Sequence, residues 1–255
     1  MQINRIDINC DMGESFGRFK VGNDEMIFPY ITSCNIACGF HGGDPLHIEN
    51  TIKSALKHGV QIGAHPSYPD LSGFGRRKMQ LPRAELKAII KYQVAALKGM
   101  TESQGGRLAY VKPHGALYNT AADDESETRT IIQAIREIDP KLALMGLAGS
   151  MMQKIALNEG IPFIAEAFAD RKYEANGRLM SRSKEGSVLS SPTEAAEQVV
   201  SIALHNKAKS AEGTSVQIYA QSICIHGDNP SAVKILQAIQ EALDQNGVLK
   251  QSFPI

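Results

Sequence analysis

The sequence has no tryptophan and few aromatic side chains of any kind, since phenylalanine and tyrosine make up only 6% of its 255 residues. It also has no excess of either charge, because 27 lysines and arginines balance 27 aspartates and glutamates. A neutral chain offers no bulk electrostatic attraction to nucleic acid or to an anionic membrane. We therefore expect neither of these partners.

Long apolar runs are missing as well. No stretch approaches the roughly 20 apolar residues of a membrane-spanning helix, and the start, MQINRIDINCDMG, lacks the basic and apolar regions of a signal peptide. The four cysteines are too few for a disulfide framework in a chain of this length. These absences predict a soluble, cytoplasmic protein whose thiols are reduced. All four cysteines are expected to pack in the core: Cys10, Cys34, Cys38 and Cys224.

What the sequence does contain is a repeated unit of a short apolar run, a polar cluster with Gly or His, and a helical stretch. Seven runs are predicted to be strands: 3–10, 31–38, 60–65, 108–114, 142–149, 161–168 and 216–226. Strands alternating with helices favour parallel pairing with right-handed crossovers. No G-x-G-x-x-G turn or G-x-x-x-x-G-K-[ST] loop follows a strand, which argues against the nucleotide-binding open sheets.

Nearly every predicted strand ends in a polar residue, which suits a closed ring whose loops all face one mouth. We predict an α/β fold with a single domain over residues 1–255, a distorted (β/α)7 TIM-like barrel. Predicted helices begin at Asp44-Pro45, Ser191-Pro192 and Asn229-Pro230 and cover 83–100 and 126–138, with Gly59 and Gly247 as end signals. The connection 11–30 is expected to hold one short helix, and 66–79 reads as a lid or as a solvated loop.

Four of the seven histidines occupy equivalent places at or just after the ends of predicted strands: His41, His65, His114 and His226. The other three fall within predicted helices. The stretch CNIACGFHGGDP around His41 is not a zinc knuckle, because Cys34 and Cys38 would be spread along one strand without a turn between them. We expect the four strand-end histidines to face a common mouth.

Carboxylates accompany these histidines. Asp7, Asn9 and Asp11 alternate along the first strand and so share one face, with Glu14 just beyond it. Polar groups on an inner face need partners, shared protons or a cation. Asp11, His65 and His114 would suit a divalent metal with positions left open for water, and an Asp–His pair without metal could equally act as a general base.

Two cationic residues are candidates for anion binding. Lys112 shares a strand face with His114 and could hold a carboxylate or phosphate, or pair with a nearby Asp. Arg171, in the stretch EAFADRKY after the sixth strand, is the better anion clamp because its planar fork matches a carboxylate.

Six motifs together resemble the LamB/YcsF family: DINCDMGESFG, CNIACGFHGGDP, IGAHPSYPDLSGFGRR, VKPHGALYN, EAFADRKY and CIHGD. The resemblance covers about residues 4–245. It implies a seven-stranded barrel similar to the polysaccharide-deacetylase and other glycoside-hydrolase-type barrels. It also implies ATP-dependent opening of 5-oxo-L-proline (pyroglutamate) to L-glutamate with release of ADP and phosphate, in partnership with 5-oxoprolinase subunits B and C.

By position, the metal ligands of the deacetylase-like barrels would map onto Asp11, His65 and His114, with His41 as a substitute. We expect the catalytic groups to be Asp11, Glu14, His65 and His114. The expected substrate-binding groups are Asn9, His41, Lys112, Asn119, Arg171, Tyr173 and His226. ATP could bind to this chain or through the partner subunits, and a homo-oligomer remains open. The alternatives are a metal-dependent deacetylase of N-acetylated sugars and a barrel that only binds a carboxylate or its partners.

Overall fold

The computed structural model describes residues 4–182 and 184–254. Over this part of the chain there are ten strands: β1 Arg5–Met12, β2 Ser33–Ala37, β3 Gln61–His65, β4 Leu108–Val111, β5 Ala143–Leu147, β6 Phe163–Phe168, β7 Lys207–Lys209, β8 Ser215–Gln217, β9 Ser222–Ile225 and β10 Leu249–Lys250. The α-helices are α1 Asp24–Ile27, α2 Pro45–His58, α3 Arg83–Ser103, α4 Gly115–Ala121, α5 Glu125–Ile138, α6 Met151–Asn158, α7 Pro192–His205 and α8 Ala232–Gln245.

Seven of these strands close into a parallel barrel, in the order β1-β2-β3-β4-β5-β6-β9, and β9 pairs back with β1. The closing pair aligns Asp7 with Ser222 and Asn9 with Cys224. The helices lie between successive strands along the chain, so the carboxyl ends of all seven strands open onto one end of the ring. The predicted seven-stranded (β/α) barrel is confirmed.

The last predicted strand, 216–226, is wrong as a single element. Its first part, β8, pairs antiparallel with β7 in a hairpin outside the ring, and only β9 enters the barrel. The run breaks at Tyr219, which is 67% exposed. Val216 of β8 and Ile218 just after it are buried. The apolar run in the sequence therefore extends over both β8 and β9, although these strands pair with different neighbours.

Helix starts follow the predicted capping residues with one exception. The Asp44 side chain accepts hydrogen bonds from Leu46 N and His47 N at 3.0 Å, and Gly59 ends α2 with φ 65°. The start predicted at Asn229-Pro230 is wrong by two residues, since α8 begins at Ala232. Asn229 Oδ1 accepts from Ser231 N at 2.9 Å, which forms a turn before the helix rather than its cap.

The two faces of β1 show how the core is divided. Ile8 and Cys10 face the helices and are completely buried, while the alternate residues point into the ring. At the amino-terminal end of the barrel, Tyr110 packs edge-on against Phe253, with ring centroids 5.4 Å apart. A Cβ at Gly63 would lie 2.1 Å from the Tyr110 ring, so the tyrosine crosses the interior where β3 has no side chain. Within the described residues, no helix combines the length and apolarity needed to cross a bilayer.

Candidate active site

The lowest polar layer of the barrel is built around Asp7 of β1. Its carboxyl accepts from Thr32 Oγ1 at 2.6 Å and from Ser33 Oγ at 2.7 Å, and the Ser222 hydroxyl also donates to it. Burial raises the pKa of Asp7 to about 6, although these hydroxyls oppose the rise. Asp7 therefore belongs to the floor of the barrel, far below the strand ends.

The next layer is an ion network centred on Lys112, which follows β4. Its Nζ lies 2.7 Å from Glu166 Oε1 and 3.0 Å from Asp11 Oδ1. Asn9 Nδ2 donates to Glu166 Oε1 at 3.0 Å and Tyr118 Oη donates to Glu166 Oε2 at 2.7 Å. Burial alone would lower the pKa of Lys112, but the negative charge of Asp11 raises it well above its usual range. Of the two alternatives for Lys112, the structure shows the pairing with acidic side chains.

The cysteines divide in an unexpected way. Cys10 and Cys34 are completely buried among apolar side chains, as predicted. Cys224 is also buried, but its Sγ lies 3.2 Å from Lys112 Nζ inside the barrel. Cys38 is half-buried and packs against the same apolar core. Core packing therefore describes Cys10, Cys34 and Cys38, whereas Cys224 packs with Tyr118 and Phe168 and also contacts the polar interior.

At the carboxyl ends of β3 and β4, two imidazoles face each other. His65 Nδ1 lies 2.7 Å from the carbonyl oxygen of Lys112, and His114 Nε2 lies 2.9 Å from the carbonyl oxygen of Phe74. A carbonyl only accepts, so each of these nitrogens carries a proton and donates. The remaining nitrogens, His65 Nε2 and His114 Nδ1, are 2.9 Å apart.

This arrangement brings two nitrogen lone pairs to one point when both rings are neutral. Burial lowers the pKa of His114 well below its usual range, which favours its neutral form. Two facing acceptors repel unless they share a cation, either a proton or a metal ion. Metal-binding histidines commonly donate their other N–H to a backbone carbonyl, as both rings do here. The donor set therefore fits a divalent metal.

Carboxylates complete this histidine cluster. Glu14 Oε1 lies 3.2 Å from His41 Nε2 and 3.7 Å from His114 Nδ1, and Asp11 Oδ2 lies 3.3 Å from His65 Nε2. The ligand atoms of Glu14, His41, His65 and His114 all fall within 4.8 Å of one another. His41 Nδ1 is buried without a hydrogen-bond partner among the described residues. Glu14 thus stands beside the histidines, and Asp11 connects them to Lys112.

The segment 66–79, which follows β3, contacts the histidine cluster at the mouth of the barrel. Phe74 adopts φ 54°, an unusual conformation for a residue with a side chain, and its ring stands edge-on to His114 with centroids 5.5 Å apart. At Gly75 a Cβ would lie 2.7 Å from the His114 ring, so this glycine permits the close approach. Asp70 holds Arg77 in an ion pair that ties the segment together. Whether 66–79 opens as a lid stays a prediction.

A second carboxylate–imidazole pair lies opposite, between β6 and β9. His226 Nδ1 is 2.9 Å from Asp170 Oδ1, and the His226 ring stacks on Phe168 with centroids 5.4 Å apart. Burial would raise the pKa of Asp170, but the charge of His226 lowers it. Because Asp170 occupies Nδ1, the Nε2 atom of His226 is the ring nitrogen left for a ligand.

A cavity of about 620 Å³ joins these groups at the mouth of the barrel. Eight of the predicted site residues line it: Asp11, Glu14, His65, Lys112, His114, Asn119, Arg171 and His226. Asn9 lies beneath, at 0% exposure. The His41 ring stacks on the His114 ring, with centroids 3.7 Å apart. His41 and Glu14 also line a second cavity, of about 990 Å³. Tyr173 is not brought to either cavity, since its buried hydroxyl accepts from Phe168 N at 2.8 Å.

Several groups of the site were not predicted from the sequence as functional. Tyr118, the carbonyl of Phe74 and the side chain of Arg182 all contribute to the network or to the cavity. Glu166 was not predicted as a site residue either. It does stand out in the sequence, because it is the single acidic residue inside the apolar run IPFIAEAF.

Sequence comparison places this geometry within a known group of proteins. The profile of the LamB/YcsF family matches residues 6–254. The chain belongs to the LamB/YcsF family.

Similar proteins share nearly the whole chain. The A subunit of 5-oxoprolinase from Acinetobacter baylyi is 49% identical over 249 residues, covering 98% of both chains. The corresponding 5-oxoprolinase chain of Bordetella parapertussis, also named as the A subunit, is 47% identical over 247 residues, covering 97% of this chain and 98% of its own.

Solved structures agree with the barrel. The lactam utilization protein from Thermus thermophilus superposes with a TM-score of 0.93 at 42% identity, covering 98% of this chain and all of its own. The family 4 carbohydrate esterase from Streptomyces lividans reaches a TM-score of 0.54 at 10% identity, covering 98% of this chain and 93% of its own. The second likeness shows a shared fold alone.

Proposed function

We propose that this LamB/YcsF-family chain opens the ring of 5-oxo-L-proline to give L-glutamate, as the hydrolytic component of an ATP-consuming 5-oxoprolinase. The observation that carries the proposal is the pair His65–His114, whose free nitrogens meet 2.9 Å apart beside two carboxylates in a water-accessible cavity. Relatives of similar length are named as the A subunit of 5-oxoprolinase. Both point to hydrolysis of a lactam.

Substrate binding would use the cationic side of the cavity. Arg171 is 7% exposed and lines the cavity, and its guanidinium matches a carboxylate in shape and charge. Lys112 is already paired with Asp11 and Glu166. Arg171 is therefore the residue we assign to the carboxylate of 5-oxoproline.

The attacking water would be oriented by the histidine cluster. Asp11, His65 and His114 are the residues that would hold a divalent metal, whose chemistry would be to acidify water and polarise the amide oxygen. Glu14, whose Oε1 lies 3.7 Å from His114 Nδ1, is placed to accept a proton from the attacking water, because burial raises its pKa to about 8. Burial alone would raise the pKa of Asp11, but His65 when it carries a second proton, and the ammonium of Lys112, hold it well below its usual range.

The leaving ring nitrogen needs a proton when the bond between it and the carbonyl carbon breaks. His226 lines the opposite wall, and Asp170 fixes its ring with Nδ1 turned away from the cavity. As an imidazolium that donates Nδ1–H to the Asp170 carboxylate, His226 could give the proton from Nε2, so that water attacks from one side and the amine leaves on the other.

ATP would act before this step. An unstrained five-membered lactam is a poor electrophile, and phosphorylation of its amide oxygen would make the carbon easier to attack. Addition of one water and departure of the ring nitrogen would leave an acyl phosphate, which a second water would cleave to phosphate and the side-chain carboxylate of glutamate. We assign ATP binding and this activation to subunits B and C, and hydrolysis to this chain. No Walker loop is present in the sequence, which is compatible with this division.

Reconstitution from purified subunits tests the proposal. Glutamate and ADP should form together only when this chain, subunits B and C, ATP and 5-oxoproline are all present. ADP formation by this chain alone with 5-oxoproline would contradict the division of labour. Release of acetate from N-acetylglucosamine oligomers by this chain with zinc or cobalt, and without ATP, would support a deacetylase instead.

A further inference from the structure

Two arginines meet at one carboxylate on the wall of the cavity that His65, His114 and His226 line. Arg76 Nη2 donates to Asp228 Oδ2 at 2.6 Å, and Arg182 Nη1 donates to the same oxygen at 3.5 Å. A third guanidinium, Arg171, lies close enough to Arg182 for its pKa to fall to about 10, mainly through burial and then through that positive charge. All three arginines line the cavity of about 620 Å³.

The positive charge in this region exceeds the nearby negative charge. The other acidic residues are engaged elsewhere. Asp170, which lies near Arg171 and Arg182, pairs with His226. Glu14 pairs with His41, Asp11 with Lys112 and Asp123 with Arg178. Asp228 thus faces two guanidinium groups and neutralises one charge. Like charges held together in a partly buried wall are unfavourable unless an anion joins them.

The surroundings of Arg171 are a second, independent indication of an anion-binding position. One of its Nη atoms donates to the carbonyl oxygen of Met180 at 2.5 Å. Its Nε is buried and has no hydrogen-bond partner among the described residues. A buried donor of this kind lowers stability until a ligand supplies an acceptor.

The cavity also exceeds what 5-oxoproline requires. Cavities of roughly 300–1,000 Å³ hold drug-sized ligands, whereas 5-oxoproline is one small ring with a single carboxylate. Once Arg171 has bound that carboxylate, space and two guanidinium groups remain. Arg76 follows closely after Phe74, whose carbonyl holds His114, and Asp228 follows closely after His226. The remaining cations therefore flank the groups proposed to act on the lactam carbon.

We propose that Arg76 and Arg182 bind a phosphoryl group while Arg171 binds the carboxylate of the same ligand. The ligand is then a lactam with two anionic groups, its carboxylate and a phosphoryl group on its amide oxygen. This inference rests on the proposed function and deepens it, because it names the form of substrate that reaches this chain. Asp228 pairs with the two guanidinium groups until the phosphoryl group takes its place.

Inorganic phosphate is the probe for this subsite, measured by calorimetric titration of the isolated chain without ATP or other subunits. Wild type is expected to bind phosphate in the millimolar range or more tightly. Arg76→Gln and Arg182→Gln should each weaken binding about tenfold, the loss of a charge-assisted hydrogen bond. Arg129→Gln is the matched control and should bind like wild type, because Arg129 pairs with Glu125 and Glu159 on the surface.

Asp228→Asn provides a test with the opposite sign. It removes the anion that competes for both guanidinium groups, so phosphate should bind more tightly than to wild type. No phosphate binding by wild type, wild-type affinity in both arginine variants, or weaker binding by Asp228→Asn would each overturn the inference.

The failure of this inference can be told apart from the failure of the proposed function. If phosphate binds as expected but the three-subunit system forms no glutamate, the proposed function is wrong and the anion site stands. If glutamate forms at the wild-type rate with Arg76→Gln and with Arg182→Gln, the phosphoryl site is wrong and the function stands.

Discussion

His65 Nε2 and His114 Nδ1 lie 2.9 Å apart, and each ring is fixed by donating its other N–H to a backbone carbonyl. These carbonyls belong to Lys112 and Phe74, so the backbone of two different loops decides which nitrogens face the cavity. The structure thereby prepares two lone pairs for one cation before any ligand arrives.

Metal binding tests this relationship directly. We expect His65→Ala and His114→Ala each to lower zinc or cobalt affinity by more than the roughly 10–100-fold that loss of a supporting hydrogen bond costs. Equilibrium dialysis followed by elemental analysis measures the bound metal. His205→Ala, a change at the exposed end of α7, is the control. Equal metal content in all three variants and in wild type would leave a shared proton as the cation between the rings.

The buried ion network predicts a loss of stability that depends on which partner is removed. Lys112→Met leaves Asp11 and Glu166 without their cation in the barrel interior. The free energy of unfolding should fall by about 3–5 kcal/mol, the typical cost of breaking a buried pair. Urea unfolding followed by circular dichroism measures it.

A second change should partly reverse this loss. Adding Glu166→Gln to Lys112→Met removes one unpaired charge and should recover part of the stability. Lys91→Met is the matched surface control, because Lys91 pairs with the exposed Glu137. A Lys112→Met protein no less stable than Lys91→Met would show that the network contributes little.

The floor of the barrel predicts a particular dependence of stability on pH. The pKa of Asp7 is raised by burial from its ordinary value of 3.8 to about 6 in the folded chain. The folded state therefore binds the proton more tightly than the unfolded state, and the contribution of Asp7 is lost as pH rises through about 6. A shift of this size amounts to about 3 kcal/mol.

Asp7→Asn isolates that contribution. As the pH rises from 4.5 to 7.5, the unfolding free energy of wild type should fall relative to that of Asp7→Asn. Both proteins would be unfolded in urea at each pH. A difference that stays constant across this range, or that moves in favour of wild type, would contradict the raised pKa.

Replacement of Gly63 and of Gly99 by alanine should change the stability of the chain in opposite directions. At Gly63 a Cβ would lie 2.1 Å from the Tyr110 ring, so Gly63→Ala should destabilise the chain by at least about 2 kcal/mol through overpacking. Gly99 lies within α3, and its Cβ would meet nothing within 4 Å. Gly99→Ala should stabilise by up to about 1 kcal/mol. Thermal unfolding of both variants decides, and the same sign for both would argue against a Tyr110 ring that crosses the barrel.

The strand-end histidines show what a sequence of this kind can predict. His65 and His114 repeat at the same place in the β-α unit, and parallel strands place such residues at one end of a barrel. Alternation along β1 likewise predicted that Asp7, Asn9 and Asp11 share the inner face. These inferences need only the period of a strand and the direction of the chain.

Contacts across the ring could not be predicted in that way. The pairing of Lys112 with Glu166 depends on the stagger of β4 against β6, which the sequence of either strand does not specify. The donor to His114 is a backbone carbonyl, to which no residue type corresponds. The hairpin β7–β8 was missed because Val216 and Ile218 continue the apolar run of β9. The roles of the predicted site residues remain predictions.

The most direct measurement is glutamate formation from 5-oxoproline by the complete three-subunit system, with this chain as wild type, His114→Ala or His205→Ala. If ring opening takes place in this barrel, His114→Ala should lower the rate of glutamate formation by at least about 100-fold, while His205→Ala leaves it unchanged. Circular dichroism of each variant controls for folding. A folded His114→Ala chain that supports glutamate formation at the wild-type rate would contradict hydrolysis at this site.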